Sequence, residues 1–127
     1  AKFQNITNVA EFTKPRGGLW GSRVNAEFGW KDWCLENDYQ SDLENSFVFS
    51  LDNNAKLLVI ERKEQLKELP RMESSIVSKL WVTLDFEKLS KDYDAIEVLI
   101  SKDFKLYHEL YGWDCDSILI MNPNIVK

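Results

Sequence analysis

The stretch Ser117–Met121 (SILIM), closed by the turn signal Asn122-Pro123, decides the fold. Five consecutive residues that are almost all apolar, bounded by turn-forming residues, are typical of a buried strand. Leu57–Ile60 (LLVI) and Ala95–Ile100 (AIEVLI) have the same apolar character and a strand-like length. These three runs therefore predict the buried strands of one central sheet.

Weaker alternation of large apolar residues predicts further strands earlier in the chain. Phe3–Thr7 and Leu19–Val24 lie on either side of a turn that is rich in glycine, and both have strand-like patterns. Phe47–Leu51 alternates as well, and the turn-forming residues Asp52–Asn54 follow it. We therefore expect Phe47–Leu51 and Leu57–Ile60 to form a hairpin.

Four short segments have patterns that predict helices. They are Trp30–Tyr39, Lys63–Leu69, Asp85–Ser90 and Asp103–Tyr111. Asp85 is a suitable N-cap and Gly112 a suitable stop after the last helix, whereas the polar segment Arg71–Ser78 predicts a surface loop. Because the helices do not alternate regularly with the strands, the sequence predicts one α+β domain over residues 1–127, with a mixed or mostly antiparallel sheet and short peripheral helices.

Length and composition exclude several classes of protein. The chain has 127 residues, of which 44% are hydrophobic and 29% charged, and this indicates an ordered globular domain. Its formal charge of −5 argues against direct nucleic-acid binding, and no apolar run reaches the roughly 18 residues of a membrane helix. The start of the sequence lacks a signal-peptide pattern. We therefore expect a cytoplasmic protein that does not enter a membrane, in which Cys34 and Cys115 are reduced thiols or form one disulfide.

The glycine-rich stretch Lys14–Arg23 (KPRGGLWGSR) is the first candidate for a binding site. Glycines let a backbone approach a ligand closely, and the lysine and two arginines of the stretch add positive charge that suits a phosphate or pyrophosphate. Trp20 could stack on a planar ring, and the Ser22 hydroxyl could bond an amide. The alternative is a β-turn whose glycines serve only the fold, with Trp20 in the core.

Two later stretches carry carboxylates that could do chemistry. Asp114 and Asp116 share one side if the last strand already begins there, so they could bind a cation or stabilise positive charge on a substrate. In Tyr93–Glu97, a carboxylate at the entrance to a buried strand could serve as an acid or base. The alternative for both stretches is a set of turn residues beside core strands. His108 is the single histidine, which excludes a zinc site with several histidines.

The order of three motifs resembles the compact ADP-ribosyltransferase fold. Phe3–Ile6 (FQNI) is similar to the first strand of that family. Gly18–Ser22 (GLWGS) is similar to its second strand, which an aromatic-rich helix follows. Asp116–Ile125 (DSILIMNPNI) is similar to its last strand and the turn behind it.

This resemblance implies an enzyme that uses NAD to modify a macromolecular target, with NAD in a cleft of the fold. Positive charge develops on the ribose when its bond to nicotinamide breaks, and a carboxylate close to that carbon stabilises the charge. Asp116 and the adjoining Ser117 stand where the family has its Glu, and they are the predicted catalytic residues. The residues predicted to bind NAD are Gln4, where the family has Arg or His, and Lys14, Arg16, Trp20 and Ser22.

A different class of function fits the same sequence. Acidic residues are spread over predicted surface segments such as Glu36–Glu44, and an acidic face can occupy the basic groove of a partner. The same charges could equally serve only solubility. Small chains of this kind are common among phage and mobile-element proteins, so the alternative is a non-catalytic, phage-encoded inhibitor of a host nucleic-acid-binding system. A third hypothesis is a toxin or immunity component of a bacterial conflict system. Under all three hypotheses we expect a protein target or partner, and none of them predicts the oligomeric state.

Overall fold

The computed structural model describes residues 3–9, 14–37, 47–72, 81–110 and 112–127. Four strands form one mixed sheet within them: β1 (Leu19–Gly21), β2 (Leu57–Ile60), β3 (Ala95–Val98) and β4 (Ser117–Ile120). Their order across the sheet is β1-β4-β3-β2, with β4 antiparallel to both neighbours and β2 parallel to β3. The three strands predicted from apolar runs are present, so the α+β class with a mixed sheet is confirmed.

Short helices connect the strands. The α-helices are α1 (Trp30–Glu36), α2 (Phe86–Asp92) and α3 (Lys105–Glu109), and the 3₁₀-helices are Lys63–Glu68, Ile100–Lys102 and Pro123–Ile125. α2 begins as predicted, because the Asp85 carboxylate accepts the Lys88 N–H at 3.2 Å. Gly112, the predicted stop, has φ of 93° but lies three residues beyond the end of α3, which Leu110 caps. No helix in the described ranges has the length and apolar character to cross a membrane.

Side chains alternate between the two faces of the sheet, and the faces are covered unequally. On the first face, Ile96 and Leu119 belong to the main core together with Trp113, which is fully buried. On the second face, Ala95 and Ile120 belong to a smaller cluster, to which partly buried residues of the segment before β2 contribute. This thinner covering leaves a groove on the second face.

The predicted hairpin between Phe47–Leu51 and Leu57–Ile60 is wrong. Phe47–Leu51 forms no strand, and within it Leu51 makes one isolated bridge, to Val126. Leu57–Ile60 pairs in parallel with β3, and α2 lies in the connection between those two strands. Burial of the apolar run beside β3 outweighs the local turn signal, since strand preference follows packing against neighbours.

The strand predicted at Phe3–Thr7 is also wrong. That segment makes one isolated bridge, through its last residue to Arg16. Gly17 and Gly18 adopt φ of 85° and 76°, and a side chain at Gly17 would collide with the Asn5 backbone. The glycines therefore serve a close approach of the chain to itself. Four predicted features lie wholly or largely outside the described residues: the helix end Tyr39, the helix end Tyr111, most of the loop Arg71–Ser78 and most of the acidic segment Glu36–Glu44.

Candidate functional site

A groove of about 520 Å³ lies on the second face of the sheet, between the residues that follow β1 and those that precede β2. Its apolar lining is Val24, Phe47, Val48, Phe49, Leu51, Ala55, Leu57 and Ile118, and its polar lining is Ser22, Arg23, Asn25, Asp52 and Asn53. Sites for small organic ligands have volumes in this range and the same mixture of apolar walls and a few polar groups.

A buried carboxylate is bonded to a side chain that lines this groove. Glu97 belongs to β3, is 2% exposed, and pairs in register with Ile118, which lines the groove. Arg23 bonds both of its oxygens: Nε donates to Oε2 at 2.6 Å and Nη2 donates to Oε1 at 2.9 Å. These bonds raise the pKa of Arg23 above its ordinary value. A buried anion is costly unless it is paired, so this ion pair determines the charge of the site.

The guanidinium of Arg23 connects this buried charge to solvent. Its side chain is 57% exposed, and the residue itself lines the groove. The position of Arg23, two residues after the end of β1, places its side chain over the row of the sheet in which Gly21 pairs with Ile118 and Ile118 pairs with Glu97. Gly21 has no side chain to fill that row, and the ring of Phe49 lies where its Cβ would make ordinary contact.

Ser22 combines a structural role with a place in the groove. Its hydroxyl donates to the Asp116 carbonyl at 2.7 Å and accepts the Trp30 N–H at 2.9 Å. It therefore joins the residue before β4 to the first residue of α1. Among the seven residues predicted to form the site, Ser22 is the one that lines the groove.

Asp116, the predicted catalytic carboxylate, is buried within the fold and 3% exposed. Its Oδ1 accepts the Ser101 N–H at 2.8 Å, and its Oδ2 accepts the Ser101 hydroxyl at 2.5 Å and the Phe28 N–H at 3.3 Å. Its own N–H donates to the Phe28 carbonyl at 2.7 Å. These bonds tie the segment before α1 and the 3₁₀-helix Ile100–Lys102 to the start of β4, and they direct the carboxylate to neutral donors of the fold.

The other predicted residues do not line the groove. The Ser117 hydroxyl donates to the Cys115 carbonyl at 3.2 Å. The ring of Trp20 packs against Trp113 on the first face, with centroids 4.8 Å apart, and the Lys14 ammonium lies 5.0 Å from the Trp20 ring. Burial lowers the pKa of Lys14. Gln4 accepts the Gly18 N–H with its backbone carbonyl, and Arg16 is exposed.

The cysteines and the metal-binding side chains supply no second centre. Cys34 and Cys115 are both buried, and no disulfide joins them. Burial raises the pKa of the Cys115 thiol to about 11, so its reactive thiolate form is scarce at neutral pH. Within the described part of the chain, no group of three or more His, Cys, Asp and Glu residues could hold a metal ion.

In the sequence, Arg23 and Glu97 stand out only as members of the longer stretches Lys14–Arg23 and Tyr93–Glu97. The signal that could have selected Glu97 is an acidic residue inside the apolar run AIEVLI, because a charge buried in a strand requires a partner. No family model, curated protein or solved structure matches the chain. Function is therefore inferred from the groove and its residues.

Proposed function

We propose that the chain is an NAD-using transferase of the ADP-ribosyltransferase-like class, and that NAD binds in the groove. The observation that carries this proposal is that Ser22 and Arg23 line a cavity of about 520 Å³ and that Arg23 bonds the buried Glu97 carboxylate. Ser22 also closes the stretch Gly18–Ser22, which resembles the second strand of that class. The volume and the mixed lining suit a small planar ligand with charged groups.

Glu97 has a better position than Asp116 for the carboxylate of this reaction. When NAD is bound, cleavage of its nicotinamide bond places positive charge on the ribose, which a nearby carboxylate stabilises most strongly in a site that excludes water. Glu97 is joined to a side chain that lines the groove, whereas the Asp116 oxygens are occupied by Ser101 and Phe28. The apolar ring of Phe49 offers a wall for a planar group.

Two carboxylate variants test this assignment. Glu97→Gln should lower the rate of NAD cleavage at saturating NAD by about 100- to 1,000-fold, because the amide keeps the shape and loses the charge. Asp116→Asn should lower the free energy of unfolding by about 1–3 kcal/mol, since its amide cannot accept all the bonds of the carboxylate. Released nicotinamide measures the first effect, and urea unfolding measures the second.

Glu68→Gln is the matched control, because Glu68 is exposed on the 3₁₀-helix Lys63–Glu68 and does not line the groove. It should change neither quantity. Full activity of the Glu97→Gln protein, or inactivity of a stably folded Asp116→Asn protein, would contradict the assignment. If calorimetry finds no binding of NAD at millimolar concentration to the unaltered protein, the transferase proposal is wrong.

A non-catalytic interaction protein is the second candidate, and exposed apolar side chains at the groove favour it. Val24, Phe47 and Val48 are 84%, 67% and 79% exposed, and all three line the groove. Apolar residues grouped in this way are typical of surfaces that bind another protein. The charge of −5 suits a basic partner such as a nucleic-acid-binding protein. This function would be favoured if the chain does not bind NAD but binds such a protein tightly, and if Phe47→Ser abolishes that binding.

A further inference from the structure

We propose that the ion pair between Arg23 and Glu97 is exchanged when the ligand binds: Arg23 moves to the pyrophosphate of NAD⁺, and Glu97 receives the cationic nicotinamide ring. This inference rests on the proposed function and adds a physical basis for selectivity between the two redox forms of the dinucleotide. The groove would accept the oxidised dinucleotide and discriminate against the reduced one, which carries no positive charge on the ring.

The first step of the argument is that Glu97 depends on a single cation. Both carboxylate oxygens are bonded by Arg23, and within the described ranges no other group donates a hydrogen bond to them. The residue is 2% exposed, so water reaches it poorly. Removing Arg23 without replacement would leave an uncompensated buried charge, which is strongly unfavourable. Arg23 can therefore leave only if another positive charge takes its place.

The second step is that Arg23 is free to move in a way that Glu97 is not. Glu97 lies in β3, which has a strand on each side, whereas Arg23 lies beyond the end of β1 with 57% of its side chain exposed. Among the residues that the structure describes, two of the five N–H donors of its guanidinium are used, both on Glu97. A guanidinium with free parallel donors binds phosphate oxygens in pairs.

The third step is the charge distribution of the ligand. NAD⁺ carries a positive nicotinamide ring and a negative pyrophosphate, so it presents both charges of the ion pair in reversed order. After the exchange each buried charge is still paired, and no carboxylate is left alone. NADH has the same pyrophosphate but a neutral ring. If its pyrophosphate drew Arg23 away, the Glu97 carboxylate would be left buried without a cation. Because the chain has a net charge of −5, the dianionic pyrophosphate gains nothing from the general field of the protein and needs Arg23.

Calorimetric titration of NAD⁺ and NADH into three proteins tests the exchange. The unaltered protein should bind NAD⁺ at least about tenfold more tightly than NADH, since charged hydrogen bonds and ion pairs have effects of that size. Glu97→Gln should bring the ratio of the two affinities close to one. Arg23→Gln should weaken NADH binding by about tenfold or more and keep or increase the preference for NAD⁺, because Glu97 then lacks its cation. A purely structural pair would change both affinities together.

Arg62→Gln is the matched control, since Arg62 is exposed and does not line the groove. Equal affinities of the unaltered protein for NAD⁺ and NADH would overturn the exchange, as would an Arg23→Gln protein whose affinities for both stay within about twofold of normal. If Glu97→Gln or Arg23→Gln fails to fold, Arg23→Lys decides, because it keeps a cation beside Glu97: it should still bind NAD⁺ more tightly than NADH, and equal affinities of the Arg23→Lys protein would overturn the exchange. If the unaltered protein shows the expected ratio of affinities but does not cleave NAD, the exchange is supported and the transferase function is contradicted. If it does not bind NAD⁺ at all, both proposals are overturned.

Discussion

Asp116 and Glu97 are both almost fully buried, yet their partners give the two carboxylates different uses. Asp116 accepts from the backbone of Phe28 and from the backbone and hydroxyl of Ser101, all neutral groups of the fold. Glu97 accepts, within the described residues, from Arg23 alone, whose side chain reaches solvent. The first arrangement fixes the position of a strand, and the second can respond to a ligand. At the scale of single residues, the partner of a buried charge is therefore more informative than its burial.

The two tryptophans that meet at the core should differ in their contribution to stability. Trp113 is fully buried and stacks on Phe86, with centroids 6.3 Å apart, so Trp113→Ala should lower the free energy of unfolding by about 3–5 kcal/mol. Trp20 is only partly buried, and Trp20→Ala should cost less. Urea unfolding of both variants measures the difference. A larger loss for Trp20→Ala would contradict the packing described here.

At the scale of elements, the sequence pattern predicts where a strand lies along the chain better than it predicts which strand it pairs with. Leu57–Ile60 is a strand as expected, and the run Ser117–Met121 contains the strand Ser117–Ile120, because an apolar run must be buried wherever the chain places it. The pairing of Leu57–Ile60 was missed, since a parallel partner across a helical connection leaves no local signal. The candidate site shows the same limit. Arg23 and Glu97 are 74 positions apart, and nothing within either stretch indicates that they meet.

Asp94 connects two strands and should make their stability depend on pH. Its carboxylate accepts the Lys56 N–H at 2.8 Å, just before β2, and the Asn122 side-chain amide at 3.0 Å, just after β4. These bonds hold the pKa of Asp94 below its usual value. Because the folded pKa is the lower one, the contribution to stability is fully present above the unfolded pKa and is lost as pH falls through the folded pKa.

Asp94→Asn should therefore lower the free energy of unfolding by about 1–2 kcal/mol at neutral pH. The gap between the two proteins should narrow as the pH falls below the ordinary aspartate value of 3.8. Urea unfolding at neutral pH, at about pH 5 and at about pH 3 measures that gap. A gap of constant size across this series would show that the bonds to Lys56 and Asn122 do not depend on the charge of Asp94.

At the scale of the whole molecule, the two faces of the sheet should unfold together, because each strand of the sheet contributes to both. Ile118 and Leu119 are neighbours in β4 that point to opposite faces, and they provide a matched pair. Ile118→Ala and Leu119→Ala should each lower the free energy of unfolding by about 2–5 kcal/mol, with the larger loss for the more deeply buried Leu119. Tryptophan fluorescence and circular dichroism should report one coincident transition for both. Separate transitions in either variant would contradict a shared fold.

The strand order has a consequence for how the protein folds during its synthesis on the ribosome. β1 is synthesised before the other strands, but β4, its single strand neighbour in the described part of the chain, is synthesised after them. The nascent chain therefore has to carry β1 without a partner while residues 22–116 are translated. The groove shares this delay, since Ile118 of β4 lines it opposite the residues that follow β1. Ligand cannot guide early folding, and a product of translation that stops before Ser117 has neither the sheet nor the groove.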